Sequence, residues 1–270
     1  MKKRIVALLS VAVMIISCFA LTGCGSSDSD SDKDYSDLAY VKDKGTLVVG
    51  ITDFAPMDYK DKDGNWIGFD ADLAKAYGKS IGVDVEFIEI NWDSKEMELE
   101  NKNIDCVWNG MTLTDGVKEA MECSNAYCNN AQMVVVNKNK ADSIKDIKDC
   151  KDLTFAVEAG SAGEEQAKEN DLNATGVETQ SDAVMEVSAG TADACIIDSL
   201  MAGAMVGEGT SYPNLVGTIK LSEELYGVGF RKESDMAKSL NEFLAAAYDD
   251  GTVKKISEKY GTSESVIKPE

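Results

Sequence analysis

Short apolar runs of strand type alternate with amphipathic helical segments along most of this chain, which restricts it to α/β architectures. TLVVGI (46–51) is apolar throughout, as a strand covered on both faces is. It leads into Thr52, Asp53, Phe54 and Pro56, a turn that presents polar and aromatic groups at the strand end. MDY (57–59) and WIG (66–68), separated by Asp63, Gly64 and Asn65, read as a hairpin. The spacing of Phe69, Leu73, Ala76 and Tyr77 predicts a helix over 69–80, with Gly82 as its C-cap. VDVEF (83–87) alternates like a half-exposed strand, and residues 95–101 form a second amphipathic segment. A buried strand, IDCVW (104–108), then runs straight into NGMTLT (109–114). A small residue and two hydroxyls at the C-terminal end of a parallel strand stand where open α/β sheets place ligands.

The second half repeats this logic. LTFAV (153–157) reads as a strand, and Gly160, Ser161, Ala162 and Gly163 open a helix with Ser161 and Glu164 as a capping box. Residues 181–189 read as a helix, and ADACII (192–197) as a strand ending at Asp198. NIDCV (103–107) and TADAC (191–195) share a pattern of polar turn, aspartate and apolar strand, a weak symmetry between two halves. QMVVV (132–136) and LYGVGF (225–230) bracket the second half, as two strands crossing at a hinge would. Residues 236–260 supply two more helices, the first with Leu240, Phe243, Leu244 and Ala247 on its core face. The expected fold is α/β, with two doubly wound α/β lobes joined by a two-stranded hinge and a cleft between them. The expected boundaries are 45–131 and 225–270 for the first lobe and 132–224 for the second.

Charge narrows the partners. The chain has 48 acidic and 27 basic residues and a net charge of −21. Loss of residues 1–23 would remove Lys2, Lys3 and Arg4 and no acid, leaving −24. That balance disfavours nucleic acid and anionic membrane surfaces. Histidine is absent, which excludes serine or cysteine nucleophiles paired with histidine, and histidine metal ligands. Lys2, Lys3 and Arg4 precede an apolar run over 5–21 that ends in LTGC (21–24). The run is close to membrane-spanning length, but small residues and a cysteine close it. It resembles a lipoprotein signal peptide with Cys24 as the lipidated thiol, followed by a polar tether over 24–44. Of the remaining cysteines, Cys106 and Cys195 lie in apolar strands as small buried hydrophobes, and Cys150 stands apart. Cys123 and Cys128 are near enough in sequence to bridge, which stays open. No C-x-x-C spacing indicates a metal, and no cofactor is expected.

GFDADLAKAYGKSIG (68–82), NIDCVWNGMTLT (103–114), EAGSAGEE (158–165), GTADACIIDS (190–199) and YGVGFRK (226–232) together resemble type II periplasmic or extracellular solute-binding proteins. More narrowly, they are similar to the polar amino-acid-binding proteins of ABC importers. The resemblance implies a monomer that closes like a flytrap on a small polar solute and docks on a membrane permease. It places such a protein, without catalysis, on the outer face of the cell membrane, held by lipid on Cys24. It also implies ligand contacts. Phe54 and Trp92 would stack on the ligand, and Gly110 and Thr112 would hold its polar groups. The helix amides at Ser161 and Ala162 would take a carboxylate, and Asp198 an ammonium, with Asp53 as a helper. In such proteins an arginine follows the threonine block and clamps the carboxylate. Here that position is Val117, and the only arginines are Arg4 and Arg231. Plainer roles compete: Thr112 and Thr114 as strand-end hydroxyls, Ser161 and Asp198 as helix caps, Phe54 and Trp92 as core. Two other functions share the fold, a sensory module reporting to a membrane partner and a dehydratase-like enzyme using Asp53 or Asp198.

Overall fold

The computed structural model describes residues 36–269. The signal segment, Cys24 and most of the expected tether lie outside them. The described chain opens with α1 (Asp37–Lys44), capped by the Ser36 hydroxyl, which accepts the Ala39 N–H at 2.9 Å. The tether was expected to reach residue 44. Instead α1 folds onto the body, because Val41 is fully buried and Asp37 pairs with Arg231 at 2.9 Å.

β1 (Thr46–Ile51), the hairpin of β2 (Tyr59–Lys60) and β3 (Trp66–Ile67), α2 (Phe69–Ile81) and β4 (Asp84–Glu89) follow as the periodicity predicts. α2 buries Phe69, Leu73 and Tyr77 and stops at Gly82, whose φ of 82° is one that side chains resist. α3 (Lys95–Glu100) buries Leu99 but leaves Met97 exposed.

β5 (Cys106–Thr112) is longer than the apolar run suggested and includes Asn109, Gly110 and Met111. Distant contacts hold that extension. The Asn109 carboxamide exchanges two hydrogen bonds with Thr52, and Gly110 N–H donates to Asp70 at 2.6 Å. α4 (Asp115–Ala120), β6 (Glu122–Cys123) and β7 (Cys128–Asn137) come next. Cys123 and Cys128 are free thiols.

The second half contains β8 (Thr154–Glu158), α5 (Ala162–Glu169), β9 (Asn173–Val177), α6 (Gln180–Ala189), β10 (Ala194–Asp198) and α7 (Ser199–Met205). Then β11 (Leu215–Phe230), α8 (Met236–Asp249) and α9 (Thr252–Tyr260) close the chain. The main sheet runs β4-β1-β5-β11-β7-β10-β8-β9, with β6 beside β11. β1 is parallel to β4 and β5, and β8 is parallel to β9 and β10. Between these parallel blocks β7 and β11 pair antiparallel over most of their length. The C-terminal ends of β5, β8 and β10 therefore converge on one region. α/β sheets build ligand sites there.

Candidate functional site

A cavity of about 580 Å³ lies at those strand ends. Asn109, Gly110, Met111 and Thr112 of β5 and Val117 of α4 form one wall. Glu158 of β8, Gly160, Ser161 and Ala162 at the start of α5, Gln180 and Asp198 form the other. Trp92 and Lys95 cover one side. The walls touch at the rim: Lys95 Nζ donates to the Gly160 carbonyl at 3.0 Å, and Ser181 Oγ to the Asp53 carbonyl at 3.2 Å. Gly160, at φ 71°, packs so closely on Asp93 that a Cβ there would lie 2.8 Å from Asp93 Cα.

Asp198 ends β10 and is 3 % exposed. Its carboxylate does not cap α7. Instead Oδ1 accepts from Asn130, from Gln132 Nε2 at 2.9 Å and from the Tyr226 hydroxyl at 2.7 Å, while Oδ2 accepts from Gln180. All four donors are neutral. They offset part of the cost of burying a carboxylate without supplying the opposite charge. Burial, then Glu224 nearby, holds the Asp198 carboxyl well above the usual range. Asn130 and Gln132 also donate to Glu224, at 2.5 and 2.8 Å, so β7 ties the site acid to β11.

Glu158, which the sequence does not single out, ends β8 at 3 % exposure, and among the described residues no hydrogen bond reaches its Oε1. Burial pushes the carboxyl up to about 8, against the lowering influence of Lys95, Gln180 and Thr52. Among the described residues lining the cavity, Lys95 is the only cation. Its ammonium donates to the Trp92 carbonyl at 3.2 Å as well as to Gly160, and lies 5.0 Å from the Trp92 ring centre. Burial lowers its pKa.

Of the residues singled out from sequence, Trp92, Gly110, Thr112, Ser161, Ala162 and Asp198 all line the cavity. Asp53 and Phe54 do not. Phe54 is buried at 2 % exposure beneath Gly110, edge-on to Tyr226 with ring centres 6.4 Å apart. A Cβ on Gly110, whose φ is 56°, would meet the Phe54 ring at 2.4 Å, so glycine lets the β5 backbone rest directly on it. Asp53 sits at the rim, exposed, with its carbonyl engaged by Ser181. The Ser161 hydroxyl is the N-cap of α5, accepting the Glu164 N–H at 3.1 Å. The expected capping box is only half formed, since the Glu164 carboxylate accepts from Gly160 N–H instead. The first-turn amides of Ala162 and Gly163 have no carbonyl four residues back within α5. Thr114 Oγ1 is spent on the Val117 N–H at 3.2 Å, and the Val117 side chain lies where a cationic clamp was sought. Arg231 is committed to Asp37 and Asp105 and lines no part of the cavity.

This geometry has counterparts. Residues 47–263 match the family model for bacterial extracellular solute-binding proteins, family 3. The arginine-binding extracellular protein ArtP of Bacillus subtilis (strain 168) is 32 % identical over 98 % of this chain and 100 % of its own. The L-cystine-binding protein TcyA of the same organism is 30 % identical over 96 % of this chain and 97 % of its own. Among solved structures, ArgBP of T. maritima superposes with a TM-score of 0.78 at 32 % identity, covering 83 % of this chain and 98 % of its own. A substrate-binding protein of an ABC uptake transporter from Streptococcus pneumoniae, with bound histidine, gives 0.77 at 31 % identity, covering 83 % and 96 %. The chain belongs to family 3 of the bacterial extracellular solute-binding proteins, and solute binding is its role.

Proposed function

We propose that the solute is a small polar amino acid, which the cleft captures and delivers to the permease of an ABC importer. The carrying observation is Asp198, a buried carboxyl group held by four neutral donors and facing the cavity with no cation bonded to it among the described residues. An α-ammonium is the complementary group, and a charge-assisted bond in a closed cleft gives it strong hold. Relatives are named for arginine, cystine, histidine and glutamine, all of which carry that group. Gly110 and Thr112 complete the ammonium end, and Trp92 covers the ligand. With Val117 in place of a guanidinium, the carboxylate falls to the amides of Ala162 and Gly163, where the helix dipole favours an anion. Phe54 acts through Gly110 as its support, and Asp53 acts at the rim through Ser181. Binding takes place without turnover.

The first lobe comprises residues 45–131 and 225–270, and the second 132–224. Both crossings lie at one level of the β7/β11 ladder, where Asn130 faces Glu224 and Ala131 faces Glu223, as a hinge of two strands requires. The protein works as a monomer at the outer face of the cell membrane, anchored by lipid on Cys24.

Asp198→Ala is expected to weaken amino-acid binding by about 2–4 kcal/mol in isothermal titration, through loss of a buried charge partner. Unchanged affinity would remove Asp198 as the ammonium site.

A further inference from the structure

We propose that Glu158 forms a second cation subsite in the cleft, so that the solute is an amino acid with a positively charged side chain. This inference rests on the amino-acid reading above and adds the residue that selects among amino acids. A carboxyl group that is 3 % exposed, lines the cavity and has an oxygen without any hydrogen bond is an exception that calls for a partner. Lys95, the cavity's cation, spends its ammonium on the Trp92 and Gly160 carbonyls and acts on Glu158 only through its field, which is too weak to offset burial. Gln180 donates to Asp198 and also lies against Glu158, so the two acids flank one side chain at the ends of neighbouring parallel strands. An elongated ligand can therefore place its α-ammonium at Asp198 and a distal ammonium or guanidinium at Glu158.

The charge around the cavity favours the same solute. Asp93, Glu96 and Glu119 from the first half and Glu165 from α5 line it too, against Lys95 alone. An apolar side chain would leave the Glu158 oxygen without a partner, and a neutral amide such as glutamine's would supply a hydrogen bond but no opposite charge, which penalises the wrong ligand.

The proton balance supplies an independent readout. Without ligand the Glu158 carboxyl, pushed up to about 8, carries its proton at neutral pH. Lys95 from α3, Asp93 from the preceding turn, Glu165 from α5 and Asp198 from β10 share the cavity with it. A bound cation favours the carboxylate, so the proton leaves to solvent as the ligand enters.

Isothermal titration of the mature chain with L-arginine, L-lysine and L-glutamine tests this. Arginine or lysine is expected to bind at least thirtyfold (~2 kcal/mol) more tightly than glutamine, and Glu158→Gln to abolish that preference while keeping its ligand-free melting temperature. If that variant does not fold, wild-type titrations in two buffers of different ionisation enthalpy decide, with more proton release expected at pH 7 for the basic amino acids, which meet both Asp198 and Glu158, than for glutamine, which meets Asp198 alone. Glutamine binding as tight as that of arginine and lysine, equal proton release for all three, or a Glu158→Gln variant that keeps the full preference, overturns the Glu158 subsite and leaves the amino-acid reading standing. Absence of binding by any amino acid overturns both.

Discussion

Asp58 and Asp70 lie fully buried, and among the described residues no cation comes within ion-pair distance of either. Asp70 Oδ2 accepts the Gly110 N–H at 2.6 Å and the Tyr127 hydroxyl at 2.8 Å, while neither oxygen of Asp58 has a partner. Burial raises Asp70 from 3.8 to about 7, and burial followed by Asp70 raises Asp58 well above its ordinary value. The folded state thus keeps protons that the unfolded chain releases above about pH 4. Stability from this pair is full below that pH and is lost as pH rises through about 7. The melting temperature is expected to fall between pH 5 and 8, and Asp58→Asn to make the fall shallower and raise the value at pH 8. A variant as pH-sensitive as the parent would show that the pair does not carry the effect. Glu158, also raised, adds a slope of the same sign. None of these acids was legible as buried from sequence. A glutamate after TFAV or an aspartate in a polar hairpin reads as solvated until helices and neighbouring strands cover it. Asp198 stands out in the sequence because it follows an apolar strand, and it lines the cavity; Phe54 has the same kind of position yet turns inward under Gly110.

Element boundaries were readable where local rules decide them. α2 starts at Phe69 and stops at Gly82 because periodicity and a left-handed glycine fix both ends. They were not readable where distant partners decide. β5 continues through Asn109 and Gly110, poor strand formers, because Thr52 and Asp70 hold them and β11 pairs with Met111 and Thr112. β9 went unseen because NATGV is a polar edge strand with no alternation to detect. α1 was hidden in an acidic stretch, and it docks through buried Val41, the Leu38 N–H bond to Asp235 and an ion pair. Arg231 grips Asp37 with its Nε and Nη2 at 2.9–3.1 Å and donates to the Ile104 carbonyl at 2.8 Å. With both side chains nearly buried, Asp37→Ala leaves a guanidinium short of its partner. It is expected to destabilise the protein by about 3 kcal/mol in urea unfolding. A loss under about 0.5 kcal/mol, as a solvated surface pair would give, would contradict this role for α1.

The whole molecule is a sheet with two parallel blocks and a long antiparallel seam, and the cavity opens where the blocks face each other. Most of its lining comes from the ends of strands and the starts of helices. Lys95 with Gly160 and Ser181 with Asp53 join the rims of the cavity. Asp198 and Glu158 both lie against Gln180 in the cavity. The most direct measurement is a thermal-shift screen of the mature protein against L-amino acids and matched compounds lacking the α-ammonium. A ligand that binds only the folded state stabilises it by about 2.7 kcal/mol at a hundredfold excess over Kd, which is several degrees for a domain of this size. At least one L-amino acid is expected to raise the melting temperature by that much, and its deaminated analogue not at all. An equal shift from the analogue, or no shift from any amino acid, would contradict an ammonium site at Asp198.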